Sequence, residues 1–119
     1  MFKINPNPNF TKPVTIPDAD GTLTMIFKRR KQSERAAAYD TLQKEAEALD
    51  AAELTAQERV KQLTQIQADF LLQIAKGWED CEADFSKEAI AELLDTYPEA
   101  FKAITTAYAK GGEEAAKGN

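Results

Sequence analysis

Four of the five prolines, Pro6, Pro8, Pro13 and Pro17, fall at the start of the chain, and the fifth is Pro98. A proline inside a helix removes a hydrogen bond and clashes with the preceding turn, at a cost of about 3 kcal/mol. The N-terminal segment is therefore closed to any long helix, whereas the stretch between Pro17 and Pro98 is open to several. Apolar spacing divides the chain at the same place. In "TLTMIFK", Leu23, Met25 and Phe27 alternate with Thr22, Thr24 and Ile26, the period of a strand with one buried face. "FTKPVTIP" places Phe10, Val14 and Ile16 on one parity, and its prolines cannot donate to a ladder, so this strand belongs at a sheet edge. "DADG" between the two reads as a turn ending at Gly21. The sequence predicts a β-hairpin over residues 10–28, preceded by an extended arm over residues 1–9 that "NPNPN" holds open.

After "KRRKQ" the pattern turns helical. Ser33 is the expected N-cap of a first helix over 33–52, with Glu34 suited to the positive end of its dipole. Its stripe of Ala38, Leu42, Ala46 and Leu49, with Tyr39 alongside, is narrow. Thr55 and Glu58 have the spacing of a capping box and open a second helix over 56–76, with Val60, Leu63, Ile66, Phe70, Leu71 and Ile74 on its stripe. Gly77 would end it. Ser86 caps a third helix over 87–96, and Pro98 suits the first turn of a fourth over 98–109. "KGGEEAAKGN" has no apolar side chain larger than Ala, so residues 110–119 are expected to form a flexible tail. The fold class is thus α+β, mainly α: a hairpin and about four helices forming one domain over residues 10–109.

Composition excludes several kinds of function. The chain has no His, which removes the usual general base near neutral pH and the commonest metal ligand. Cys81 sits among Glu79, Asp80, Glu82 and Asp84. A calcium loop counted from Asp80 would need Gly and Glu where Phe85 and Ala91 stand, and zinc would need further Cys or His. Anionic neighbours also disfavour a reactive thiolate. The stretch is read as a loop between helices, with its carboxylates in water and Trp78 and Phe85 anchoring it to the core near Phe70, Ile74 and Tyr97. No acid–base pair and no Gly-rich phosphate loop is visible. We therefore expect no enzyme, no cofactor and no metal. A net charge of −5 argues against nucleic-acid and anionic-membrane partners, and "KRRK" reads as a solvated basic face against an acidic body. No apolar run approaches the roughly 18 residues of a membrane span, and "MFKINPNPNF" has no long apolar core of a signal peptide.

What remains points to binding other chains. Phe2, Ile4 and Phe10 lie beside prolines that stop them collapsing into a helix, and Tyr39 and Leu42 lie on the helix with the thinnest stripe. These five are the candidate partner-binding residues. Apolar surface of that kind also favours a homo-oligomer.

The order of elements resembles the tail assembly chaperones of long-tailed, non-contractile bacteriophages. "FKINPNPNFTKPVTIP" opens like their Phe-Lys-Leu-Asn-Pro-like arm and short Pro-containing strand. "GWEDCEADFSKEAIAELLDTYPEAFKAITTAY" is similar to their Gly-Trp, acidic stretch, Phe-Ser cap, Leu-Leu pair, Tyr-Pro break and final amphipathic helix. The likeness covers residues 1–27 and 71–109, and its matched positions, Trp78, Phe85, Ser86, Leu93, Leu94, Tyr97 and Pro98, look architectural. It implies a non-enzymatic role in the bacterial cytoplasm, binding the tape measure protein while tail tube protein polymerises around it, and absence from the mature virion. It also implies a longer frameshifted form that recruits the tube protein, of which a chain with this small polar tail would be the short partner. Two other classes stay open: a small structural subunit of the phage tail retained in the virion, and an acidic host-takeover protein that mimics nucleic acid.

Overall fold

In the computed structural model, which describes residues 1–4 and 7–116, with the side chains of 112–116 excepted, seven elements follow one another. They are β1 (Asn9–Thr15), β2 (Thr22–Lys28), α1 (Gln32–Ala51), α2 (Ala56–Ile74), β3 (Ala75–Glu79), α3 (Lys87–Thr96) and α4 (Ala100–Ala116). The α+β, mainly helical architecture with an N-terminal hairpin is as the sequence predicts. Its strands form one antiparallel sheet in the order β1-β2-β3.

The hairpin follows its alternation. Val14, Ile16, Met25 and Phe27 are buried, while Thr11, Pro13, Thr15 and Thr22 face outward. Asp18 and Gly21 take the positive φ values that the turn needs, and the amide of Ala19 donates to the carbonyl of Ile16. β1 is an edge strand, where the missing amide of Pro13 breaks no bond to β2. The pair Pro8–Arg29 is hydrogen-bonded, which turns the backbone groups of even-numbered β1 residues toward β2 and those of Asn9, Thr11, Pro13 and Thr15 outward.

β3 was not expected. α2 stops at Ile74 rather than at residue 76, and Gly77 is a strand residue, not a helix terminator. Ala75 to Glu79 pair with Thr24 to Phe27, and a bulge at Lys76 takes up the irregularity where the chain leaves the helix. Ala and Lys are good helix formers, so the signal for β3 lies in β2, whose free edge it completes. Trp78 stands opposite Met25. It is half-buried at the far sheet edge, its ring edge-on to Phe85 and its Nε1–H donating to the carbonyl of Ala83 at 2.8 Å. It therefore anchors the 80–86 loop against β3 instead of lying deep in the core beside Phe70 and Tyr97.

Helix starts are set by local caps, and helix ends by contacts from elsewhere in the chain. Thr55 and Glu58 form the reciprocal capping box, and Ser86 Oγ accepts from the amide of Ala89, both as expected. α1 instead starts one residue earlier than expected, with Lys31, not Ser33, at its N-cap; the Lys31 amide donates to Glu34 Oε1. "KRRK" is not simply a solvated face. Lys28 Nζ and Arg30 Nε donate to the carbonyls of Leu72 and Gln73 in the last turn of α2, where cations complement the helix dipole. Arg59 closes the other end of the helical pair by donating to the carbonyls of Leu49 and Ala52.

The core joins the inner sheet face to Phe70, Leu71 and Ile74 of α2, Ile90 and Leu94 of α3, and Ala100, Ile104 and Tyr108 of α4. Val60, placed on the α2 stripe by spacing, is half-exposed near the start of that helix. α4 runs to Ala116, beyond the expected end at residue 109, so much of the predicted tail is helix; residues 117–119 lie outside the described residues. Gly111 is buried against β1, where a Cβ would come within 2.5 Å of the Phe10 ring.

Candidate interaction surface

The five residues proposed from the sequence do not form one patch. Phe2 and Ile4 are 90% and 83% exposed, the most exposed large apolar side chains of the chain after Met1. The arm behind them is tied down at its base: Arg29 donates through Nε to the carbonyl of Asn7 at 2.7 Å and through its amide to that of Pro8 at 2.8 Å. Its outer residues thus project from a fixed point.

Phe10 is a correction. The arm ends before it, and its ring packs on Phe27 at 5.4 Å and lies parallel to Tyr108 at 5.9 Å between centroids. The Arg29 guanidinium sits over the same ring at 5.5 Å. A side chain so engaged is partly buried against the core rather than held out in solvent. The sequence already held the signal, since Phe10 shares parity with Val14 and Ile16.

On α1 the two candidates differ from each other. Leu42 is half-buried and packs against the core, so it is not an open anchor. Tyr39 is 41% exposed, with its ring 4.8 Å from that of Phe70. Partial burial raises its phenol pKa above 10.0, with the nearby Arg35 charge opposing. Together with Gln32, Arg35 and Tyr108 it lines a small surface cavity of about 310 Å³. Inside, Tyr108 OH and Arg35 Nε are buried donors without a protein partner among the described residues. Burial likewise raises the Tyr108 phenol above 10.0.

One residue read as part of the buried α2 stripe is open instead. Val60 is half-exposed and borders a groove between α2 and α3 with Gln57, Thr64, Ala91 and Asp95. Helical spacing marks a face but cannot tell whether a neighbouring helix reaches that far along it. Cys81 is an exposed free thiol in the loop after β3. No helix among the described residues is long and apolar enough to cross a membrane.

Comparison with known proteins adds a family. A family model described as "Phage tail assembly chaperone" matches residues 1–119, the whole chain. Neither curated proteins nor solved structures give a significant match.

Proposed function

The chain belongs to the phage tail assembly chaperones, and on that basis we propose that it binds the tape measure protein without catalysis and keeps it soluble while the tail tube assembles. The observation that carries this reading is the contrast between a well-packed domain and an arm whose Phe2 and Ile4 contribute nothing to it. Large apolar side chains held out in water leave it when they are buried on a partner, which favours the complex. They do so without loosening the fold that carries them. Tyr39 extends the apolar contact area from α1. The same surface favours association of copies when no client is present.

In this reading the protein acts in the host cytoplasm and leaves before the virion is complete. A longer frameshifted form brings in the tail tube protein, while the chain described here holds the client. Co-expression with the tape measure protein of the same phage tests the reading. Soluble client in the presence of the chaperone, and aggregated client without it, is the expected result. Mass spectrometry of purified particles provides the second arm: absence supports assembly, and stoichiometric presence would instead indicate a structural subunit of the tail.

A further inference from the structure

The sheet has a second feature suited to binding. α4 packs along β1, with Gly111 against Phe10 and Lys12, and an open groove of about 500 Å³ lies beside the strand. Pro13 and Thr15 form one wall, and Lys102, Ala103, Ala107 and Lys110 form the other. The outward-turned backbone of β1 borders it: amides of Thr11 and Thr15, and carbonyls of Thr11, Pro13 and Thr15. No loop or turn hydrogen bond among the described residues engages these groups. Pro13 supplies no amide, so the edge offers a short, interrupted ladder rather than a template for unlimited pairing.

Charge specifies the occupant further. The chain carries −5 overall, yet Lys102 and Lys110 are exposed on the groove wall, and Glu99 is the only carboxylate lining it among the described residues. A second copy pairing β1 to β1 would bring lysines against lysines, and β1 itself, "NFTKPVT", carries no carboxylate. An acidic segment is complementary. Residues eight apart on a helix rise about 12 Å, and residues four apart on a strand about 13 Å. Carboxylates at i and i+4 therefore match Lys102 and Lys110, with a small apolar residue at i+2 over Ala103 and Ala107.

We propose that the groove between β1 and α4 binds an extended acidic segment of a partner protein by strand addition to β1, two carboxylates flanking a small apolar side chain. This rests on the chaperone reading, in which that segment belongs to the client. The test titrates the full chain with a fluorescein-labelled peptide, Gly-Glu-Thr-Val-Thr-Glu-Gly, followed by anisotropy. In antiparallel strand addition, with the glutamates and valine facing α4, the two threonines of the peptide turn their amides toward β1. Methylating those two nitrogens should abolish binding. Lys102→Glu with Lys110→Glu should weaken binding of the peptide at least tenfold and reverse its preference toward a version with Lys in place of Glu. No binding to the wild-type chain, equal binding of the methylated peptide, or indifference to the charge reversal would overturn the proposal. If the double variant loses the peptide but still keeps the client soluble, the assignment to the client falls while the chaperone reading stands. If the wild-type chain binds the peptide but fails to keep the client soluble, the groove stands and the chaperone reading falls.

Discussion

Phe2 and Phe10 are identical side chains in one Pro-rich segment, yet one is 90% exposed and the other packs against both Phe27 and Tyr108. Strand parity with Val14 and Ile16 puts Phe10 on the inner face, but its ring partners come from farther along the chain. Phe10 stands opposite Phe27 in the hairpin register and beneath Gly111, whose missing Cβ leaves room for the ring. Phe2 has no element laid across it. The comparison teaches that burial here is conferred by distant parts of the chain. The boundary between packed domain and free arm lies at Asn7 and Pro8, where Arg29 holds the backbone.

The largest expected effect breaks the comparison on the packed side. Phe10→Ala should cost about 3 kcal/mol in chemical denaturation, because it opens a cavity beneath α4 and removes two aromatic neighbours. Phe2→Ala should stay within about 0.5 kcal/mol of the wild type. Equal costs would erase the distinction between arm and domain.

Trp78→Ala is expected to cost roughly 2 kcal/mol, less than a fully buried indole would, since the ring is only partly buried. The loss should appear first in the 80–86 loop, as faster amide exchange, because the indole bond to Ala83 and the contact with Phe85 both go. Uniform loosening of the whole domain would place Trp78 in the main core.

Tyr108→Phe should change stability at neutral pH by less than about 1 kcal/mol, and in the stabilising direction, because the buried hydroxyl has no protein partner among the described residues. Its signature is alkaline. Burial holds the folded phenol above 10.0, so as pH rises past that value the unfolded chain loses its proton first and the folded state is disfavoured. The contribution is intact below the ordinary value and is lost as pH climbs through the folded one. Removing the hydroxyl should make the alkaline decline of the melting temperature shallower.

How much of this was legible follows from where each signal resides. The capping box at Thr55 and Glu58, the Ser86 cap and the alternation of Leu23, Met25 and Phe27 are local patterns, and the structure places them as read. β3 was hidden because Ala75 and Lys76 continue a helix well, and only the free edge of β2 makes them a strand. The expected end of α4 fell short because glycine is a poor helix former, yet Gly111 lets the helix pack close against Phe10 of β1. Of the five candidate contact residues, Phe2 and Ile4 are open, Tyr39 is half-open, and Leu42 and Phe10 are partly buried against the core. Spacing identified them as apolar and unpartnered locally; the partners of Phe10 and Leu42 come from elsewhere in the fold.

The smallest structural effect carries the most functional weight. Deleting residues 1–4 leaves the Arg29 contacts to Asn7 and Pro8 in place, and it removes the two open side chains Phe2 and Ile4. The direct measurement is the soluble fraction of tape measure protein on co-expression with this truncated chain, read beside the chain's own melting temperature. An unchanged melting temperature with a marked fall in soluble client is the predicted result. Full solubilisation by the truncated chain would contradict the account, since the arm would then play no part in holding the client.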